Sequence, residues 1–238
     1  MTKLSQAIVL ATAMTAGLAA TSATHAEVSA SAGVASSYLW RGQNLGNGSP
    51  AVSGSLDYSH ESGAYAGAWV SSGDSGLGTE YDLYVGFAGE AGGLSYDIGY
   101  VSYVYPSQSE ENLQSAIDDG VTGDDLPGVA DEFGDVSEVY LGLSMVGVDF
   151  TTYYNDNGGD YVYNTLGYGM DKFYGLVGVN TDLEDDGHGA YTHIDLSYAY
   201  NDNVSFTVSK MVATSDKTNV SASTSPEFVV SYTLPIEL

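Results

Sequence analysis

Carboxylate side chains stand on one parity of several short, otherwise apolar segments of this sequence. Glu80 and Asp82 alternate with Tyr81 and Leu83, and Glu138 has apolar neighbours at the same spacing. Alternate side chains of a β-strand point to opposite faces, so acids that share parity share a face. A set of such carboxylates around a pore favours cations over anions.

The candidate set consists of charged residues that we expect to line a common interior. Its members are Arg41, Asp57, Glu80, Asp82, Asp97, Glu138, Asp149 and Asp195. Strand direction predicts Glu80, Asp82 and Glu138 in the upper lumen, Asp195 near the middle, and the other three acids toward the opposite rim. Arg41 is the predicted cationic partner near the top, where it would face carboxylates across a narrow lumen. Alternatively, these groups pair with each other, with tyrosine hydroxyls or with water, and only fill the lumen.

A second acidic pattern is a weak candidate for metal binding. Asp182, Glu184 and Asp186, followed by Gly187, have the spacing with which a calcium loop begins. His193 stands where the closing bidentate glutamate is required, which counts against a specific site. Weak divalent bridging to neighbouring lipopolysaccharide is the alternative use of these acids.

Catalytic chemistry has little support. The chain has four histidines and no cysteine, so it has no Cys/His set of metal ligands. His193 shares parity with Ser197, but that separation is about 13 Å along a strand, beyond hydrogen-bond range. We therefore expect neither an enzyme nor a cofactor.

Alternation and turn residues predict about twelve strands and almost no helix. The expected strands are 28–40, 50–59, 64–72, 79–90, 94–105, 137–145, 148–155, 161–169, 174–181, 190–200, 204–213 and 226–237. The charged parity of each strand must face inward, because a Lys or Arg on the lipid face near the midplane costs about 2 to 4 kcal/mol. Strands 64–72 and 161–169 are ambiguous in phase.

The connections alternate between short turns and longer loops, as in outer-membrane barrels with periplasmic turns and external loops. The longest, about 106–136, holds nine acids and no base. In it, Ser107 and Glu110 are predicted to cap a short helix with an apolar strip of Leu113, Ala116 and Ile117. This loop either folds over the mouth as a constriction or is a solvated loop.

Both ends of the chain support export to an outer membrane. Residues 1–26 have the features of a signal peptide, and 27–238 would form the mature barrel. Apolar side chains alternate to the last residue of the sequence, at Phe228, Val230, Tyr232, Leu234, Ile236 and Leu238. Such a terminal strand closes outer-membrane barrels and is recognised by the barrel-assembly machinery.

The charge balance limits the possible partners. There are 31 acidic and 5 basic residues, for a formal net charge of -26. Nucleic acid is excluded because phosphate binding needs the missing Lys and Arg. Cationic solutes, divalent ions or simple solubility in salt remain as uses of this charge.

Several segments resemble a known family. They are SSYLWRG (36–42), PAVSG (50–54), LDYSHESGAYAG (56–67), EAGGLSY (90–96) and EVYLGLSMVGVDF (138–150). In this order they resemble the TorF-type porin family of proteobacteria, long described only as exported proteins of unknown function. The resemblance implies an outer-membrane β-barrel.

The sequence therefore predicts an all-β antiparallel transmembrane barrel in the outer membrane of a Gram-negative bacterium. The leading hypothesis is a passive channel for small solutes that favours cations or neutral molecules. The alternative is a non-conducting structural or surface-interaction barrel whose lumen is plugged by tyrosines and paired charges. An outer-membrane hydrolase is a distant third hypothesis. The sequence does not predict an oligomeric state.

Overall fold

The computed structural model describes residues 26–121, 129–157, 160–183, 189–215, 225–236 and 238. Within these ranges the chain forms a closed barrel of twelve antiparallel strands, which confirms the predicted fold class. The barrel strands are β1 (Glu27–Ala35), β4 (Ala51–Ser59), β5 (Ala64–Asp74), β6 (Gly78–Ala91), β7 (Leu94–Val104), β8 (Val136–Met145), β9 (Val148–Asn157), β10 (Tyr161–Met170), β11 (Phe173–Asp182), β12 (Tyr191–Ala199), β13 (Val204–Thr214) and β14 (Glu227–Ile236). A small hairpin, β2 (Leu39–Trp40) and β3 (Gln43–Asn44), and a helix, α1 (Glu110–Asp118), lie in connections. The predicted signal peptide lies almost wholly outside the described residues.

The barrel closes between the first and last strands. Val34 of β1 stands opposite Tyr232 of β14 on one side and opposite Val52 of β4 on the other. Every other strand pairs with its sequence neighbours, so each barrel strand has two partners. Closure leaves no open sheet edge among these strands.

Loop lengths differ between the two rims. On one rim the connections are 60–63, 92–93, 146–147, 171–172 and 200–203, all tight turns. On the other rim the longer connections are 36–50, 105–135, 183–190 and 215–226, although 75–77 and 158–160 are short. β1 begins and β14 ends on the rim with the tight turns.

The two faces of each strand have opposite chemistry. The outer face carries exposed apolar side chains such as Leu83, Val85, Leu141 and Phe150. The terminal strand follows the predicted parity, with Phe228, Tyr232, Leu234 and Ile236 exposed. The described helix is neither long nor apolar enough to cross a membrane.

Tyrosines fill much of the interior. Tyr65, Tyr84, Tyr103, Tyr105, Tyr140, Tyr153 and Tyr163 form one buried cluster. Gly99 makes room for this packing, because a Cβ there would lie 2.4 Å from the hydroxyl of Tyr140 on the paired strand. Tyr65 and Tyr163 also settle the phase of the two ambiguous strands, since both point inward on the odd-numbered parity.

The first predicted strand, 28–40, is too long. β1 ends at Ala35, where the backbone N–H of Ser36 donates to the Val230 carbonyl and the Ser36 hydroxyl accepts from the Val230 N–H. The chain then turns into the barrel. Leu39 and Trp40 do form a strand, but they pair with Gln43 and Asn44 instead of extending the wall.

The helix in the long loop forms as predicted but with a different cap. Ser109, not Ser107, accepts a hydrogen bond from the N–H of Asn112 at 3.3 Å. The Ser107 hydroxyl instead donates to the Leu77 carbonyl across the neighbouring connection. α1 buries no side chain, so it does not fill the lumen.

Candidate functional site in the lumen

Residues 36–49 fold into the lumen as a short hairpin, here called the lumen hairpin. It enters from the rim with the longer connections, and this end of the lumen is called the upper lumen. Its turn residues Arg41 and Gly42 have positive φ angles of 48 and 82°, as in two-residue hairpin turns. A Cβ on Gly42 would lie 2.5 Å from Cγ of His193 on the facing wall. Glycine is therefore required there both by the backbone conformation and by the close approach.

Arg41 forms the central ion pair of the lumen. Its two terminal nitrogens donate to the two carboxylate oxygens of Glu138 at 2.7 and 2.6 Å. Arg41 is 4% exposed and Glu138 0%, so the pair is shielded from water. Tyr161 and Tyr103 complete the shell of Glu138, donating their hydroxyls at 2.6 and 2.7 Å. The predicted arginine thus makes direct contact with a predicted carboxylate.

Aromatic rings enclose the Arg41 guanidinium. Its Cζ lies 4.3 Å from the ring centre of Tyr163, 4.5 Å from that of Trp40 and 4.6 Å from that of Tyr153. Cation–π contacts of this kind are worth about 2 kcal/mol when desolvated. Burial alone would lower the pKa of Arg41, but the facing Glu138 carboxylate outweighs it and the pKa stands well above its usual value.

The lumen hairpin has further anchors on several strands. Tyr38 donates to Oε2 of Glu80 at 2.6 Å, and Gln43 donates to the Tyr191 hydroxyl at 3.0 Å. Asn44 donates to Oε2 of Glu227 at 2.9 Å. Burial, and then the charge of Glu80, raise the pKa of Tyr38, which keeps it a hydrogen-bond donor. These contacts fasten the lumen hairpin to walls on both sides of the barrel.

Glu80 and Asp82 are neighbours on the inner face of β6. Glu80 also accepts from the Tyr105 hydroxyl at 2.9 Å. Asp82 is fully buried, and neither of its oxygens has a hydrogen-bond partner among the described residues. The two carboxylates therefore differ in environment although they share one face.

The other predicted acids also lie on the inner face, each beside a polar neighbour. Asp97 accepts from the Tyr65 hydroxyl at 2.6 Å. Asp57, toward the rim with tight turns, accepts from Tyr84 and Ser55. Asp149 stands opposite Ser144 in the register of β8 and β9, and Asp195 lies 3.0 Å from Nδ1 of His193.

The predicted calcium-loop start is only partly described. Asp182 accepts from the N–H of Gly189 at 3.3 Å. Glu184 and Asp186 lie outside the described residues. Within the described ranges, no group of three or more His, Cys, Asp or Glu side chains could hold a metal ion.

Sequence reasoning placed His193 on the inner parity of its strand but did not include it in the candidate set. Its Nε2 is hydrogen-bonded to the Tyr163 hydroxyl at 2.8 Å, and the two rings stack with an interplanar angle of 4°. The signal was present in the parity, because His193 alternates with Asp195 and Ser197. Nothing in the sequence indicates that Gly42 approaches His193 across the lumen.

Fold and site define an all-β closed barrel with an apolar exterior and a polar, tyrosine-rich lumen. The chain belongs to a bacterial family of unknown function, Gcw_chp, whose model matches residues 19–229. No curated protein matches this chain. The TorF-type assignment remains a prediction.

Similar solved structures are porins, at low identity. The KdgM porin is 6% identical with a TM-score of 0.45, and the similarity covers 89% of this chain and 99% of that one. A KdgM porin in complex with disordered oligogalacturonate is 7% identical with a TM-score of 0.46, and the similarity again covers 89% of this chain and 99% of that one. A mutant of the Rh. blastica porin is 12% identical with a TM-score of 0.37, and the similarity covers 88% of this chain and 82% of that chain. Similarity at this level says nothing about the function of this chain.

Proposed function

We propose that this protein is an outer-membrane porin of narrow bore, constricted by the lumen hairpin, that passes small cations and neutral solutes in preference to anions. The observation that carries the proposal is the inversion of the barrel. Apolar side chains cover the outside, whereas carboxylates lie inside. A soluble barrel would have the opposite arrangement.

The outer face supports a location in the membrane. Leu83, Val85, Leu141, Phe150 and Leu196 are exposed on neighbouring or nearby strands. Soluble monomers rarely expose contiguous apolar surface of this extent. The proposed partners are therefore outer-membrane lipid and lipopolysaccharide, with the barrel-assembly machinery reading β14 during insertion.

The inner face supports a preference for cations. Glu80, Asp82, Asp97 and Asp195 are all buried there. Of the described Lys and Arg residues, Arg41 alone is buried, and Glu138 already neutralises it. The remaining carboxylates leave a negative potential, which favours cations over anions.

A specific observation also favours the second candidate, a barrel that does not conduct. Part of the tyrosine cluster lies in the same upper region as the lumen hairpin, where Tyr103 and Tyr161 are bonded to Glu138. A barrel closed in this way would act through its external loops. A catalytic role is not proposed, because the buried His193 is engaged by Tyr163 and Asp195.

Single-channel recording separates the two candidates. The mature chain is refolded in detergent, its folding is checked by a gel shift on boiling, and it is added to a planar lipid bilayer. The porin proposal predicts discrete conductance steps that are small for a twelve-stranded barrel. Folded protein that inserts without any step would favour the closed barrel.

A further inference from the structure

Asp82 is the most isolated charged group of the upper lumen. It is 0% exposed, and no described residue donates a hydrogen bond to either carboxylate oxygen. Its partners across the sheet are Trp69 and Tyr103, and the Tyr103 hydroxyl is already donated to Glu138. An ionised carboxylate that is buried without donors is strongly disfavoured unless a positive charge compensates it or a proton neutralises it.

A second carboxylate, Glu80, adds to the unfavourable burial of negative charge at Asp82. Glu80 lies two residues away on the same face and is 1% exposed, so the two carboxylates are close, buried neighbours. Two ionised carboxylates are both acceptors and cannot bond to each other. An ionised pair therefore requires a positive charge between or beside its members, and a proton shared by the two carboxylates is the competing arrangement.

No described side chain supplies that charge. Both terminal nitrogens of Arg41 are bound to Glu138. Lys172 lies in a tight turn, where it donates to the Tyr200 carbonyl at 3.1 Å. Lys210 is exposed on β13, on the parity opposite to the buried Ser209.

We infer that Glu80 and Asp82 hold a divalent cation of the calcium class in the upper lumen. Two carboxylates balance its charge, and the hydroxyl oxygens of Tyr38 and Tyr105 lie beside Glu80. Because Asp82 is inaccessible to water, the ion must shed most of its hydration shell, which Ca²⁺ does more readily than Mg²⁺. With only two acidic ligands, the site is expected to bind Ca²⁺ weakly.

The inference rests on the proposed cation preference and deepens it by naming the ion, but its test does not use conduction. The mature chain is refolded in detergent free of lipopolysaccharide and stripped with EDTA. Isothermal titration calorimetry with CaCl₂ should then find a site that is at least about tenfold weaker in Asp82→Asn and in Glu80→Gln. Asp57→Asn is the matched control, since Asp57 is an inner-face acid with Tyr84 and Ser55 as partners, and it should bind like the wild type.

Thermal unfolding gives a second readout. In EDTA, Asp82→Asn should unfold at a higher temperature than the wild type, because the change removes an uncompensated charge. Added Ca²⁺ should raise the unfolding temperature of the wild type and of Asp57→Asn but not that of Asp82→Asn. MgCl₂ and NaCl at matched ionic strength should have smaller effects.

An equal Ca²⁺ response in the wild type, Asp82→Asn and Asp57→Asn would overturn the inference, because binding would then reside elsewhere, as in the acidic loops. A response to Na⁺ without one to Ca²⁺ would overturn it as well, and so would the absence of any Ca²⁺ response, which is the result expected if a shared proton neutralises Glu80 and Asp82. A cation-selective channel that binds no Ca²⁺ would refute this site and leave the porin proposal standing. Ca²⁺ binding by a barrel that never conducts would leave this site standing and refute the porin proposal.

Discussion

Replacing Arg41 with alanine removes the positive charge at the centre of the upper lumen. Glu138, at 0% exposure, would retain only the hydroxyl donors of Tyr103 and Tyr161 among its described partners. Removing one member of a buried ion pair costs about 3 to 5 kcal/mol. We expect Arg41→Ala to lower the free energy of unfolding by about this amount.

A double-mutant cycle with Glu138→Gln tests the reasoning. Because the two side chains bond directly through two hydrogen bonds, the double variant should lose less than the sum of the single losses. The expected coupling is about 0.5 to 3 kcal/mol. Urea unfolding in detergent, followed by tryptophan fluorescence, measures all four proteins. Additive losses, or a loss below about 1 kcal/mol for Arg41→Ala, would refute the account of the ion pair.

Two further substitutions test the lumen hairpin and the membrane face. Gly42→Ala should displace the lumen hairpin and enlarge the single-channel conductance, because the added Cβ would clash with His193. Gly48→Ala is the control. Gly48 has a similar φ of 79° but nothing within 4 Å of an added Cβ, so this change should leave the conductance unchanged. Equal conductance for the two variants would mean that the hairpin does not constrict the pore. Leu141→Arg on the outer face should cost about 2 to 4 kcal/mol on folding into lipid vesicles, whereas Ser55→Arg on the inner face should cost much less. Similar losses for both would contradict the assignment of faces.

The strand pattern was readable from sequence because the two faces differ so strongly. Glu80 and Asp82 mark the inner parity of β6, and Tyr81 and Leu83 mark the outer one, so the phase of the strand follows from local sequence. The same rule failed for 64–72, where Tyr65 and Trp69 point inward. Aromatic residues are found both on a lipid face and in a tyrosine-filled lumen, so they do not indicate which parity of a strand points inward.

The lumen hairpin was not predictable by the same means. Leu39 and Trp40 have strand-like side chains and do adopt a strand, but its position depends on a contact between Arg41 and Glu138, which are 97 positions apart. The positive φ of Arg41 is also unexpected, because non-glycine residues seldom adopt it. Long-range pairing decided this part of the structure, and local propensity gave no warning of it.

The reversal potential in a salt gradient tests the central claim most directly. Under a tenfold KCl gradient across a planar bilayer, the wild type should show a potential of the sign that indicates cation preference. Changing Glu80, Asp82 and Glu138 together to their amides should move that potential toward zero. The shift should shrink at about 1 M salt, where charges are screened within roughly 3 Å. An anion-selective wild type, or a potential unmoved by the triple change in dilute salt, would contradict the account.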